Sequence, residues 1–245
     1  MRRVLFLCFG RPIHSYPAML YLGIVLGIYA QLIAALALGL DVATVLTATL
    51  VLLTTALVGA RLLYVAGNWH AYRTRPRQIL AFSTGGASMY GGLLLAVPFS
   101  FPMLAAFKIP FGTYWDITSF LLLLGMIVTR IGCFLNGCCA GRPTAGRWGI
   151  HLPNHKGVRQ RRFPTQILEA GWGAIVLAGA MLLWGRLSFD GALFLYTLGA
   201  YGAGRIVLEP MREEQDRLMG MNVPKAISTG FVVISLCVFA IVWWR

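Results

Sequence analysis

Long apolar stretches recur along the whole chain, separated by short polar segments. Each is about twenty residues long, enough for a helix rising about 1.5 Å per residue to cross a hydrocarbon core of ~30 Å. Pro98 and Pro102 interrupt the third stretch, so a broken or re-entrant helix fits it equally well. We expect an all-α polytopic membrane protein with seven spans, near residues 17–39, 43–66, 85–106, 115–137, 165–185, 190–209 and 224–244.

The composition agrees with this fold class. Hydrophobic residues make up 58% of the 245 positions and charged residues only 12%. We expect a single transmembrane domain over residues 1–245, with about seven helices around a central lipid-binding cavity. A basic loop over residues 138–164 lies between spans four and five. Residues 1–11 lack the small-residue signature of a cleaved signal, so the first helix is expected to stay as an anchor.

The net charge of +13 is carried mostly by loops on one membrane side. Taken alone, this excess of lysine and arginine predicts a cytoplasmic N-terminus. Clustered basic residues at a membrane surface also attract anionic head groups, so an anionic phospholipid is the expected partner. Nucleic acid is not expected, because no folded soluble domain presents these charges.

The cysteines fall into two groups. Cys8 and Cys237 stand alone in apolar surroundings, where a small buried hydrophobe is the expected role. Cys133, Cys138 and Cys139 form a C-x4-C-C pattern at the end of the fourth span. This pattern leaves three interpretations open: a disulfide or packing thiols, a direct catalytic or substrate-positioning role, or a metal site completed by a histidine, either His151 or His155.

Charged residues within the apolar stretches carry the strongest functional signal, because a charge in a membrane is costly. Arg61 lies near the end of the second span, and Arg205 and Glu209 are spaced as a helical ion pair. Arg130 has no acidic neighbour in sequence. It therefore needs Glu169 from the fifth span, or an anionic ligand such as phosphate, to neutralise it.

The segment GGASMYGG begins the third span with paired glycines at both ends, Gly85 and Gly86, then Gly91 and Gly92. Paired glycines let a backbone approach a ligand or another helix closely, so substrate contact and helix packing are both open. Tyr90 lies between the pairs. Tyr16, Tyr64 and Tyr201 lie at other span ends, where interfacial anchoring is the default role of tyrosine.

The run RIGCFLNGCCAGRPT, residues 130–144, resembles the signature segment of bacterial prolipoprotein diacylglyceryl transferases. Further blocks follow the order of that family: the region of Tyr16, then ARLLYV, GGASMYGG, FPTQILEA and YGAGRIVLEPMREEQD. The resemblance covers nearly the whole chain. It implies transfer of the diacylglyceryl group of phosphatidylglycerol to the lipobox cysteine of a prolipoprotein, with release of glycerol phosphate and without a cofactor or metal.

By position, the resemblance makes Arg130 the signature arginine, Arg205 and Glu209 the late arginine and glutamate, Gly141 a signature glycine and Tyr16 the early tyrosine. Two arginines in a dry site would stabilise charge on a leaving phosphate. The catalytic candidates are Arg130, Arg205, Glu209, Tyr90, Cys133 and Cys138. The substrate-binding candidates are Tyr16, Arg61, Gly85, Gly86, Gly91, Gly92, Asn136, Gly141, Arg142, Glu169, Tyr201 and Arg212.

The chain departs from the family pattern at three positions. Cys133 stands for an asparagine, Cys138 for a glutamate, and Tyr90 for a histidine. Two polar groups and a candidate base are thereby replaced, so a paralogue with another acceptor, or a non-catalytic lipid-binding protein of the same fold, is the alternative. The family also places the N-terminus and signature end on the extracytoplasmic side of the bacterial inner membrane. We expect that orientation, because basic residues around an anionic-lipid site have a second reason to be there.

Overall fold

The structure of the protein is a computed structural model that describes residues 4–8, 10–73, 78–79, 89–153, 157–213, 217–218 and 221–244. Helices account for most of these residues, so the predicted all-α class is confirmed. The helices are α1 (Ser15–Ala37), α2 (Val42–Gly67), α3 (Trp69–Tyr72), α4 (Met89–Ala106), α5 (Phe111–Asn136), α6 (Thr165–Leu183), α7 (Ala192–Leu208) and α8 (Val223–Trp244).

Five of these helices, α1, α2, α5, α6 and α8, are long and apolar enough to cross a membrane. They carry large exposed apolar side chains, such as Leu57 on α2 and Leu236 on α8, as lipid-facing helices do. The chain is therefore a multi-pass membrane protein. The apolar part of α4, Gly91–Ala106, is shorter, and α7 has only 17 residues. The count of seven spans stays a prediction.

Helix α4 continues without a break through Pro98 and Pro102. The Ser100 hydroxyl donates to the carbonyl of Val97 at 2.7 Å, which satisfies a backbone acceptor within this proline-containing segment. Within Met89–Ala106, the third apolar stretch is one helix, and the broken alternative is not observed.

Three short antiparallel hairpins accompany the helices. They pair β1 (Val4–Cys8) with β2 (Arg11–His14), β3 (Ile150–Pro153) with β4 (Arg159–Arg162), and β5 (Arg217–Leu218) with β6 (Met221–Asn222). The β3–β4 hairpin lies inside the basic loop predicted over residues 138–164. A hydropathy pattern does not predict such hairpins, because their strands are short and partly charged.

The chain divides into two compact units, one of Met1–Ala34 with Trp115–Arg245 and one of Ala35–Tyr114. In the first unit α1 packs on α5 where Gly23 faces Gly125 and Gly27 faces Leu121. Small residues let the two backbones approach closely, as is common between membrane helices. A buried hydrogen bond of 2.9 Å from Gln31 to Thr118 joins the same two helices.

Helix α7 is held by polar contacts from its neighbours in the first unit. The Trp172 indole of α6 donates to the carbonyl of Ala200 at 2.9 Å. At the start of α7, the carboxylate of Asp116 on α5 accepts hydrogen bonds from the backbone amides of Gly191 and Phe194, both at 2.8 Å. A side chain of α5 thus caps the N-terminus of α7, where backbone donors have no partner within their own helix.

In the second unit α2 and α4 meet at two glycines. A Cβ atom added to Gly59 would fall on the carbonyl oxygen of Gly91, and one added to Gly91 would fall on that of Gly59. Gly92 faces the backbone of Ala56 in the same interface. The second glycine pair of GGASMYGG therefore packs helix against helix, which is one of the two roles that the sequence leaves open.

We expect Gly59→Ala and Gly91→Ala each to lower the unfolding temperature of the purified protein by several degrees. The new methyl group forces the helices apart, and overpacking of this kind costs about 1–3 kcal/mol. The matched control is Gly67→Ala on α2, whose added Cβ has no atom within 4 Å. Tryptophan fluorescence during heating in detergent measures the effect. A loss no larger than that of the control would contradict the packing role.

Candidate functional site

Three arginines surround one carboxylate, that of Glu169, in the first unit. Glu169 lies in the second turn of α6, which begins directly after Pro164. Its Oε1 accepts hydrogen bonds from Arg205 at 2.7 Å and from Arg212 at 2.9 Å. Its Oε2 lies 2.5 Å from Nε of Arg130, an ion pair without the alignment of a hydrogen bond. The ion pair predicted between Arg130 and Glu169 is therefore confirmed.

A second carboxylate extends this cluster. Glu209 pairs with Arg205 at 3.0 Å across one helical turn, as its spacing predicts, and accepts a hydrogen bond from Asn222 at 3.2 Å. The side chains of Glu169 and Glu209 are 7% and 2% exposed, and those of the three arginines lie between 12% and 20%. We call Arg130, Arg205, Arg212, Glu169 and Glu209 the arginine cluster; it carries one excess positive charge.

The signature segment places Arg212 in this cluster. Gly141 forms a bridge with Arg212, and the amide of Arg142 donates to the carbonyl of Met211 at 2.8 Å. A Cβ atom on Gly141 would lie only 2.6 Å from that same Met211 oxygen, so the close approach needs glycine. The Arg142 side chain is instead exposed and lies against the ring of Phe163, outside the arginine cluster.

At the C-terminal end of α5, the sulfur atoms of Cys133, Cys138 and Cys139 all lie within 4.8 Å of one another. We call these three residues the cysteine trio. All three are free thiols, so no disulfide joins them. The pKa of the Cys139 thiol is lowered, chiefly because the other two thiols hydrogen-bond to it, and the charges of Arg130 and Arg212 add to the shift. The two predicted catalytic cysteines thus lie beside the arginine cluster.

Two tyrosines border these groups. Tyr16, near the start of α1, is close enough to the cysteine trio and Arg130 to interact electrostatically with both. Tyr201 of α7 lines a narrow pocket together with Glu169 and Arg205. This pocket has room for no more than about one water molecule, so a larger ligand requires side chains to move. Asn136, the last residue of α5, interacts with the thiol of Cys138.

The remaining predicted site residues belong to the second unit or lie outside the described residues. Arg61 belongs to the second unit, where it is buried and donates to the carbonyls of Gln78 and Ile79 at 2.7 and 2.8 Å. It also lies over the rings of Tyr64 and Tyr72. These contacts give Arg61 a structural role in fastening residues 78–79 to α2. Gly85, Gly86 and the side chain of Tyr90 lie outside the described residues, so their predicted roles stay predictions.

The sequence did not single out two further residues that shape the site. Gln166 is buried on α6, one turn before Glu169, and donates to the carbonyl of Cys138 at 2.7 Å. Arg162 on β4 is also buried, donates to the carbonyl of Gly141 and pairs with Glu213 at 2.7 Å. The three-residue spacing of Gln166 and Glu169 was a usable signal, since it puts both on one helix face. Arg162 carried no such signal, because it is one of several arginines close together in a basic segment.

Comparison of the sequence with known proteins identifies a family. A family model described as prolipoprotein diacylglyceryl transferase matches residues 3–243. The chain belongs to this family. Its members are transferases, and the resemblance seen in the signature segment is confirmed.

Individual relatives agree with the family. Phosphatidylglycerol–prolipoprotein diacylglyceryl transferases of Bacillus mycoides (strain KBAB4) and Bacillus cereus (strain B4264) are each 29% identical to this chain over 243 residues, covering 94% of it and 88% of the relative. A protein of that name from Bacillus cytotoxicus is 29% identical over 240 residues. The similarity to these transferases is low in identity but runs through almost the full length of both chains.

We expect Glu169→Gln to destabilise the protein more than Glu209→Gln. The first change leaves three partly exposed arginines facing a neutral amide, whereas Glu209 pairs with one of these three, Arg205. Breaking a buried ion pair costs about 3–5 kcal/mol. Thermal unfolding in detergent measures the order of the two variants. Added inorganic phosphate should raise the unfolding temperature of Glu169→Gln more than that of wild type, since it supplies the missing anion. Equal stability of the two variants would contradict the central role of Glu169.

Proposed function

We propose that this membrane transferase moves the diacylglyceryl group of phosphatidylglycerol to the thiol of a prolipoprotein cysteine and releases glycerol phosphate. One observation carries the proposal: three arginines from separate chain segments converge at a single buried carboxylate and leave an excess positive charge. The names of the relatives support the same donor and acceptor.

The arginine cluster suits a phosphate diester. A guanidinium has five N–H donors in a planar fork that matches phosphate oxygens. Arg130 contacts Glu169 through Nε, and among the described residues its two terminal nitrogens make no ion pair, so they can donate to a phosphate oxygen. In the structure, the carboxylate of Glu169 is the anion that these donors hold. A lipid phosphate that enters the site competes with Glu169 for the same donors. The three partly exposed guanidiniums are then the groups that hold the head group.

The reaction moves charge onto that phosphate. The acceptor sulfur attacks the glyceryl carbon that carries the phosphate oxygen, a carbon–sulfur bond forms, and the carbon–oxygen bond breaks. The electron pair stays on the leaving glycerol phosphate. Arg130 and Arg205 stabilise this charge from a site that is largely shielded from water, where fixed positive groups act most strongly. Arg212, bridged to Gly141, adds a third cation on the same side.

We expect Arg130→Ala and Arg205→Ala to lower transfer at least about 100-fold, in line with the loss of one charge-stabilising group. Both variants should stay folded, because Glu169 keeps two of its three arginines in each. The assay combines labelled phosphatidylglycerol with a lipobox peptide and follows both glycerol phosphate release and the mass of the peptide.

The matched control is Arg186→Ala, an exposed arginine in the turn between α6 and α7, which should keep wild-type rates. Release of glycerol phosphate without labelling of the peptide would point to another acceptor. Lipid binding with no release from the wild-type protein would favour the non-catalytic alternative, which the replaced asparagine, glutamate and histidine positions motivate.

The proposed setting is the bacterial inner membrane, with the signature end on the extracytoplasmic side. Basic residues around an anionic-lipid site account for the loop charge that otherwise favours the opposite orientation. With an odd number of spans, this orientation puts the C-terminus in the cytoplasm.

We expect green fluorescent protein fused after α8 to fluoresce, and alkaline phosphatase fused at the same point to be inactive. Green fluorescent protein folds in the cytoplasm, whereas the phosphatase needs the disulfides that form outside it. Reporters fused before β1 serve as the control. When such a reporter is exported, we expect an active phosphatase and no fluorescence. An active phosphatase at the C-terminus would overturn the orientation.

A further inference from the structure

The cysteine trio is spaced as the ligands of a soft metal ion are. The three sulfur atoms lie within 4.8 Å of one another without any bond between them. In a tetrahedral zinc site, Zn–S bonds of about 2.3 Å put the sulfur atoms about 3.8 Å apart. The widest separation in the trio therefore has to shrink by no more than about 1 Å to meet that geometry.

The backbone holds this arrangement in advance. Helix α5 ends in a turn in which the amides of Gly137 and Cys138 both donate to the carbonyl of Cys133, at 3.0 and 3.1 Å. Gly137 and Cys139 follow in the left-handed conformation, with φ of 77° and 60°. A non-glycine residue pays of order 1–2 kcal/mol for that conformation and keeps it only where its surroundings impose it. The turn brings the second and third thiols back over the first.

Helix α6 fixes the same turn from outside. The Thr165 hydroxyl donates to the carbonyl of Cys139 at 2.9 Å, and the Gln166 amide donates to that of Cys138 at 2.7 Å. Both side chains are buried. The turn is therefore anchored to α6 by buried side chains rather than left as a loose connection, as expected for a preformed ligand site.

The charge around Cys139 favours its thiolate. Arg130 and Arg212 both act electrostatically on Cys139. Three thiolates around a divalent ion carry one net negative charge, which these guanidiniums balance. Among the described residues the group contains no fourth cysteine, histidine or carboxylate, so three ligands leave one tetrahedral position open. An open position is the property that separates catalytic from structural zinc sites.

We propose that Cys133, Cys138 and Cys139 bind a soft divalent metal ion, of which Zn²⁺ is the fitting example, and that the acceptor cysteine thiol becomes its fourth ligand. This inference rests on the proposed function. Two of the three ligands stand where the family has an asparagine and a glutamate, and a third polar position of the family, a histidine, is Tyr90 here. The metal takes over the activation of the acceptor thiol that a base would otherwise perform.

The step balances without a redox change. The acceptor thiol loses its proton to solvent when its sulfur coordinates, because a thiol bound to such an ion is deprotonated. The coordinated sulfur attacks the glyceryl carbon, the carbon–oxygen bond breaks, and the phosphate leaves toward Arg130 and Arg205. The thioether product is a weak ligand and dissociates from the metal. A lipid carried on one of the protein's own cysteines is excluded as an intermediate, because its stable thioether would have to be broken again.

The test begins with metal binding, independent of catalysis. Wild-type protein, purified in detergent with a non-thiol reductant, is titrated with Co²⁺, whose thiolate complexes absorb strongly. We expect one equivalent to bind and Zn²⁺ to displace it. Cys138→Ser and Cys139→Ser should each weaken binding at least about 100-fold, the upper end of what the loss of an outer-shell contact costs. Cys237→Ser, at an exposed cysteine of α8, is the matched control and should bind like wild type.

Several results overturn the site. The first is a reduced wild-type protein that does not take up one equivalent of Co²⁺. The second is unchanged Co²⁺ binding by Cys139→Ser, and the third is a disulfide within the trio in protein alkylated directly from intact cells. Because Cys139 is exposed, its replacement by serine should leave the fold intact, and thermal unfolding of each variant checks this.

The second arm tests the acceptor thiol. A lipobox peptide should change the visible spectrum of the Co²⁺ protein, and the same peptide with serine in place of its cysteine should not. Identical spectra with the two peptides overturn the inference that the acceptor thiol is the fourth ligand. Glycerol phosphate release separates the two proposals. Unchanged transfer after chelation overturns the metal inference and leaves the proposed function standing. A thiol-dependent spectral change without any transfer overturns the proposed function and supports the metal site.

Discussion

The structure of the first unit depends on one buried negative charge, that of Glu169. Three guanidiniums lie within a few ångströms of one another and are largely withdrawn from water, and like charges in that position repel strongly unless an anion separates them. Glu169 therefore determines where α5, α7 and the segment after α7 end in space. The same contact explains how a charged residue is tolerated within the fourth span.

The sequence predicted the parts of this arrangement that follow from single residues and fixed periods. Hydropathy located the long helices to within a few residues, and the cost of an unpaired arginine in a membrane left two partners for Arg130, Glu169 or an anionic ligand, of which the structure shows Glu169. The spacing of Arg205 and Glu209 predicted their ion pair in the same way. The place of Arg212 beside Glu169 could not be predicted in this way, because it depends on a bridge to Gly141 that joins segments about seventy residues apart.

The signature segment combines an unchanged half with an altered one. Its arginine and glycines match the family pattern and lie at the arginine cluster, whereas the altered positions are all cysteines and lie together in space. A C-x4-C-C pattern left disulfide, packing, catalysis and metal open, because spacing alone does not reveal the turn at Gly137 or the left-handed Cys139. The anchoring of that turn by Thr165 and Gln166 favours a metal, although the resemblance implied none.

The cap that Asp116 provides for α7 has a consequence for how this protein sits in a bilayer. Fourteen residues separate Asp116 from Arg130 on α5, and fourteen separate Gly191 from Arg205 on α7. The two helices run in the same direction and are fastened to each other at two levels about 21 Å apart. Neither can slide along the membrane normal to match a thicker hydrocarbon layer. Helix α7 is only about 25 Å long, so as the span that the sequence predicts it would require the bilayer beside its exposed Val207 to thin, at a cost of a fraction of a kcal/mol per Å.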